Sequence, residues 1–158
     1  IVLAAAMAKK LGVDDSDIIR AIKNLKPVPH RLELIRNGRI SIIDDTYNGN
    51  PVGAKRALEV LREFDGRRVV VTPGLVELGK REKEENEILG KEIANVANLA
   101  LIIGRNGEYI RKGLIENGFP EENALFFKNL SDAERFFPDL FSPNDAVLFL
   151  NDLPDELN

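Results

Sequence analysis

Ile42-Ile43-Asp44-Asp45-Thr46-Tyr47-Asn48-Gly49-Asn50-Pro51 decides how this chain folds. A short apolar run, the mark of a buried strand, ends in two acids and an amide-rich turn, and Pro51 is preorganised to open a helix. A strand that feeds a helix in this way belongs to an α/β fold, whose ligands settle at the carboxyl ends of its strands. The turn supplies carboxylates at Asp44 and Asp45, a phenol at Tyr47 and carboxamides at Asn48 and Asn50. None of these is suited to nucleophilic attack. The turn is built to hold polar substrates still.

Upstream, Asn37-Gly38 separates residues 31–36 from 39–45. That dipeptide favours a type I′ turn, which needs positive φ at both positions, so the first two strands pair antiparallel. Before them, Lys26-Pro27-Val28-Pro29 stiffens the backbone and excludes helix, which predicts an inter-domain hinge at 27–30. Residues 1–11 form an alanine-rich helical pattern closed by Gly12. Residues 15–25 predict a second helix, capped by Asp14 or Asp15, with Ile18, Ile19, Ile22 and Leu25 on one apolar face. No charged n-region or cleavage site marks the first helix as a signal peptide. Both helices read as the tail of a larger domain, so the chain is expected to be a fragment.

Downstream, strands and helices alternate. Helix 51–64 carries an apolar stripe of Ala54, Ala57, Leu58 and Leu61. Strand 68–72 leads to helix 80–97, strand 99–103 to helix 106–117 and strand 124–127 to helix 132–140, and strand 146–150 closes the sheet. The pattern predicts a doubly wound, Rossmann-like α/β fold: a mostly parallel sheet covered on both faces, with one antiparallel N-terminal hairpin strand. Parallel strands place their carboxyl ends on one edge, so the turns at 44–51, 72–80, 104–107 and 151–154 should share a rim. Met7 and the phenylalanines at 126, 127, 136, 137 and 141 are read as core.

Composition bounds the chemistry. A net charge of −4 argues against a protein that binds nucleic acid by neutralising phosphates. No apolar run approaches the roughly 18 residues of a membrane span. Without cysteine there is no disulfide, thiolate nucleophile or cysteine-ligated zinc, and the single histidine, His30, excludes a histidine-rich metal site. A cytoplasmic protein fits these bounds.

Two glycine motifs invite stronger readings than they support. Gly74-Leu75-Val76-Glu77-Leu78-Gly79-Lys80 matches most of a phosphate-binding P-loop, yet Arg81 stands where a magnesium-ligating Ser or Thr belongs. Bulky side chains and Glu77 would also oppose a phosphate, so this is a strand-to-helix turn with Glu77 on the rim. Gly104-Arg105-Asn106-Gly107 lacks the full dinucleotide fingerprint and reads as a plain turn. His30-Arg31 lies between the stiff prolines and the hairpin. Such a pair is commonly just surface, but a guanidinium at a hinge can clamp a phosphate bidentately when domains close.

His30-Arg31-Leu32-Glu33 after a proline-rich hinge, then Asp44 to Pro51, then Gly74 to Gly79, together resemble the carboxyl-terminal domain of the Mur ligases. The acid–amide turn and the Glu77-Leu78-Gly79 element look most like the members that add D-alanyl-D-alanine to a UDP-muramoyl tripeptide. The resemblance implies an ATP-dependent amide ligase of peptidoglycan synthesis that works through an acyl phosphate. ATP and Mg2+ would be bound mainly by a central domain, of which residues 1–26 are the tail; residues 31–158 would be the carboxyl-terminal domain. By position, Arg31 and Asp45 would be the catalytic pair, Arg31 approaching the ATP phosphates and Asp45 the nucleotide or its ribose, with His30 also at the nucleotide. Tyr47, Asn48 and Asn50 would line the amino-substrate pocket, with Glu77 on the same rim. No metal ligand and no resident cofactor are expected in the fragment, which should be inactive alone.

The implied partners are the UDP-muramoyl peptide, D-alanyl-D-alanine or another amino substrate, and the central and N-terminal domains of the same chain. One departure affects the amine. The family's Lys-Gly-Ser-Arg-like turn is replaced by Leu150-Asn151-Asp152-Leu153-Pro154-Asp155. This leaves open a cyanophycin- or folylpolyglutamate-type relative. A non-enzymatic doubly wound module that binds a nucleotide or a protein partner also stays open.

Overall fold

β1 (Glu33–Asn37) and β2 (Ile40–Asp45) pair antiparallel about the Asn-Gly turn, with Asn37 opposite Ile40 and Gly38 at φ 51°. The computed structural model describes residues 1–47 and 49–151, apart from the side chain of Asn37. The substrate-binding assignment of Asn48 and the turn at 152–155 lie outside the described residues.

After the hairpin, α3 (Pro51–Arg62), β3 (Arg68–Thr72), α4 (Glu82–Ala94), β4 (Leu99–Ile103), α5 (Gly107–Glu116), β5 (Ala124–Phe127) and β6 (Ala146–Leu150) follow as the alternation predicts. The sheet has six strands in the order β1-β2-β6-β3-β4-β5, all parallel except the first pair. β6, last in sequence, threads between β2 and β3. The chain runs from β2 through β3 and β4 to β5 in one direction and turns back only after β5, so that β6 fills the gap and the carboxyl ends of β2, β6 and β3 are neighbours on the edge where such sheets take ligands.

Alternation along the strands divides the core. Val70, Leu148, Ala146, Leu150, Ala100 and Ile102 face α3, α4 and α5, and the stripe Ala54, Ala57, Leu58 and Leu61 is buried there as expected. Val69, Val71, Leu101, Ile103 and Val147 face the other side. Burying each large aliphatic side chain stabilises the fold by about 1.5–3 kcal/mol, which is why these periodic positions outweigh local helix and strand preferences.

Several expectations need correction. A single helix at 132–140 is replaced by α6 (Leu130–Glu134) and α7 (Phe137–Leu140). Pro138 is the cause, because its ring would strike the carbonyl of Glu134 in a continuous helix. The helix predicted at 80–97 is α4 preceded by a 3-10 turn at Gly79–Arg81. Among the described residues, these two short helices are the ones that pack on the second face, and Leu34 and Ile35 in β1 remain 45% and 41% exposed, so the hairpin is not covered on both sides. Met7, Phe126 and Phe136 are not core either, at 60%, 42% and 51% exposed. Phe127, Phe137 and Phe141 do pack against the second core.

α1 (Val2–Lys10) and α2 (Asp15–Lys23) bury no residue, and Asp14 occupies the cap position of α2 without a side-chain cap bond. At the amino-terminal edge of the sheet, Arg67 donates to both carboxylate oxygens of Asp145 (3.1 and 2.6 Å) and to the Leu140 carbonyl. Asp145 also accepts from the Ser142 N–H at 2.8 Å. Asp145 is thus buried with its charge answered, the condition under which a buried ion is tolerated.

Candidate functional site

At the carboxyl edge of the sheet, Asn151 ties three strand ends together. Its backbone N–H donates to the Asp45 carbonyl (3.0 Å) and its Nδ2 to the Gly74 carbonyl (3.2 Å). It does so from φ 66°, a left-handed conformation that asparagine tolerates better than most residues. A Cβ on Gly49 would land on the Asn151 Oδ1, so the acid–amide turn can lie down only because residue 49 is glycine. The loop after β3 is fixed by two further buried asparagines. Asn86 exchanges 2.8 Å bonds with both the N–H and the carbonyl of Leu75, and Asn106 Nδ2 donates to the same carbonyl at 3.0 Å. The turns after β2, β3, β4 and β6 therefore form one rim. The 104–107 segment is more than the plain turn expected, since Asn106 is buried and braces its neighbour. Leu75 points into the core, which leaves no phosphate-wrapping loop between Gly74 and Lys80.

At the hairpin side of this rim, His30, Arg31, Asp45 and Tyr47 come together. The His30 Nδ1 lies 2.8 Å from Asp44 Oδ2, and the His30 carbonyl accepts from the Tyr47 N–H at 3.0 Å. Asp44 Oδ1 accepts from the Thr46 N–H (3.2 Å) and hydroxyl (2.8 Å), while Asp45 Oδ1 accepts from the Leu32 N–H at 3.1 Å. The Arg31 guanidinium sits over the Tyr47 ring, 4.3 Å from its centroid.

The adjacent carboxyls shift in opposite directions. Partial burial pushes Asp44 up, but the bonds from Thr46 and His30 outweigh it and hold it below the ordinary aspartate value. Partial burial also pushes Asp45 up; the Leu32 N–H pulls it down, the Asp44 charge raises it and Arg31 lowers it, with a net rise. A depressed carboxyl stabilises the fold fully above the ordinary value, and that stability is lost as pH falls through the depressed one. A raised carboxyl does the reverse: its ionisation costs stability above the raised value, and acid relieves that cost. Acidification from neutrality should therefore protonate Asp45 first, with a slight gain in stability. Asp44 follows at lower pH, with a loss. A carboxyl-carbon NMR titration in which Asp44 protonates first would contradict this order.

Asn50 does a structural job. It is the N-cap of α3, and its Oδ1 accepts from the Gly53 N–H at 2.9 Å. Asn50→Ala should cost about 1 kcal/mol, read as a lower urea midpoint with an unchanged slope. Glu77 is exposed on the β3–α4 loop at φ 61° and, among the described residues, has no hydrogen bond to the Arg31 cluster. Also among the described residues, no group of three or more His, Cys, Asp or Glu side chains could hold a metal ion. Thr46, Asn86, Asn106 and Asn151 were missed by sequence reasoning as site residues. Only the last carried a local signal, an asparagine directly after a buried strand.

Residues 30–151 match the family described as Mur ligase, glutamate ligase domain. The UDP-N-acetylmuramoyl-tripeptide–D-alanyl-D-alanine ligase of Bacillus subtilis is 25% identical over 92% of this chain and 33% of its own length. The UDP-N-acetylmuramoylalanine–D-glutamate ligase of Pelotomaculum thermopropionicum is also 25% identical, over 92% and 30%. Among solved structures, the MurF ligase of Thermotoga maritima in complex with ADP superposes with a TM-score of 0.73 at 26% identity, over 92% of this chain and 32% of that one. The chain thus spans about a third of the length of the curated relatives it matches. With its parallel sheet, antiparallel hairpin and rim of strand-end turns, the chain belongs to the Mur ligase family, as that family's C-terminal domain.

Proposed function

We propose that this chain is the nucleotide-closing, amine-presenting domain of a cytoplasmic ATP-dependent ligase that joins D-alanyl-D-alanine to a UDP-muramoyl tripeptide in peptidoglycan synthesis. The observation that carries the reading is the placement of exposed Arg31, stacked on Tyr47 and close enough to Asp45 to lower its proton affinity, between the hinge prolines and the rim. The ADP complex of the Thermotoga maritima relative supports a nucleotide partner. In this reaction the substrate carboxylate attacks the γ-phosphorus of ATP and ADP leaves. The amine nitrogen then attacks the acyl carbon, and phosphate departs with the C–O electron pair while the amine gives up a proton.

Each residue contributes by position or charge. Arg31 offsets the negative charge that gathers at the transferring phosphoryl group. Asp45 keeps Oδ2 for a nucleotide hydroxyl or amino group, since its Oδ1 holds Leu32. Tyr47, Asn48, the Asn50 amide and Glu77 receive the zwitterionic amine. Mg2+ belongs with the central domain that supplies the phosphate-binding loop.

Residues 1–26 form the tail of that central domain, 27–30 the hinge and 31–158 the C-terminal domain. In support, α1 and α2 are nine residues each and leave Val2 and Leu3 82% and 88% exposed. Helices so short are marginal unless an apolar face is packed.

The test is a chimera in which this chain replaces the matching third of the Bacillus subtilis ligase. ATP-dependent phosphate release should require both the muramoyl tripeptide and D-alanyl-D-alanine. Turnover by these residues alone, or a chimera that accepts only D-glutamate, would reject the proposal.

A further inference from the structure

Arg31 is flanked by two non-glycine residues in the left-handed region, His30 at φ 60° and Leu32 at φ 48°. A leucine there is an outlier, and such conformations persist only where the surroundings over-determine them. A connection that merely had to reach β1 would be served by glycine at both positions.

The surroundings here do over-determine it. The His30 N–H donates to Glu33 Oε2 (3.3 Å), the Arg31 N–H to the Val28 carbonyl (3.2 Å) and the Leu32 N–H to Asp45 Oδ1 (3.1 Å), so every backbone donor of the segment is taken. The His30 carbonyl is held by the Tyr47 N–H, and its ring by Asp44. Asp44 is set in turn by Thr46, which donates twice to the other carboxylate oxygen. Three hydrogen bonds to one carboxylate leave it little capacity for a ligand. The same turn that anchors the His30 backbone carries the ring on which Arg31 stacks.

We infer that Asp44 and His30 are positioning residues: with Thr46 they clamp the strained segment 30–32 and aim the Arg31 guanidinium from its platform on Tyr47. This rests on the reading of Arg31 as the phosphate-facing group. It gives Asp44 a role without substrate contact, and it makes Tyr47 a support for the arginine before it is a wall of the amine pocket.

Two variants separate the clamp from simple structural stabilisation. His30→Gly permits the same backbone conformation without strain but removes the ring that Asp44 holds. Asp44→Ala removes the anchor itself. The readout is the Arg31 Nε–Hε NMR resonance of the 158-residue chain, which Tyr47 should shift upfield through its ring current and Tyr47→Leu should return to an unstacked position. Both variants should reduce that upfield shift by at least half, with amide resonances of β3, β4 and α5 unchanged. If Asp44→Ala does not fold, His30→Gly alone decides, because glycine is no threat to this backbone. In the chimeric ligase His30→Gly should lower kcat by about 10- to 100-fold while KM for ATP moves less than about 3-fold, as misplacement of a transition-state group predicts.

An Arg31 resonance that stays shifted in both variants overturns the clamp, as does a wild-type chain with no ring-current shift. An Arg31→Ala chimera with normal turnover instead defeats the phosphate role of Arg31. The resonance would still report on the clamp in that case, so the two failures are distinguishable.

Discussion

Arg31→Ala in the chimeric ligase is expected to lower kcat/KM by about 100- to 1,000-fold, the usual effect of deleting one donor aimed at developing charge. The loss should fall mainly on kcat, because the group is asked to stabilise the transferring phosphoryl rather than to hold ground-state ATP. Arg31→Lys should recover little of it, since an ammonium can neither grip two oxygens in a plane nor stack on Tyr47 in the same way. Folding should hardly notice. The residue is exposed, and an exposed cation–π contact contributes only about 0.5–1 kcal/mol. Steady-state phosphate release, paired with a thermal melt, checks both halves. A fall of less than about 3-fold would mean that the phosphates are met by other residues, against the scale expected of such a donor.

Gly113→Ala is expected to be strongly destabilising, because its methyl would fall in the contact between two packed helices. α4 and α5 cross at Gly90 and Gly113, where a Cβ on Gly90 would sit 3.0 Å from the Gly113 Cα. A Cβ on Gly113 would strike the Glu87 carbonyl oxygen, a backbone atom on the facing helix that cannot rotate away. The helices would have to separate, opening the layer of Leu89, Ile93, Ile110 and Leu114 that covers the sheet. Overpacking of this kind costs about 3 kcal/mol, which corresponds to a melting point lower by roughly 6–12 °C for a domain of this size. Gly53→Ala is the control with the opposite sign. It lies in the first turn of α3, where the atoms nearest a Cβ are those of the Asn50 side chain, at 3.5 Å or more. Relief of glycine's backbone entropy should then stabilise by about 0.5–1 kcal/mol. Similar effects at the two sites would show that the α4–α5 crossing is not as close as described.

The place of Arg31 was legible in the chain, because a basic residue between Pro29 and an Asn-Gly hairpin is a local pattern. Its neighbours were not. Asp44 read as a ligand group, yet its oxygens are taken by Thr46 and His30, a fact that depends on residues 14 positions apart meeting across a turn. Asn50 read as a substrate contact, but an asparagine before a helix-opening proline is also the pattern of an N-cap, and the cap occupies its Oδ1 and leaves only the Nδ2 for a substrate.

The hairpin, the alternation of strands and helices, the buried stripe of α3 and the convergence of polar turns on one edge were all written in the chain, because each follows from periodicity or turn chemistry within a few residues. Only the folded molecule could insert β6 between β2 and β3 and bring Asn151 against Gly49 and Gly74. It alone could also leave Met7 and Phe136 in solvent while Asn86 and Asn106 went inside. The reason is physical: strand order and polar burial are settled by which distant surfaces exclude water together, and a side chain's hydropathy does not reveal which partner it will find.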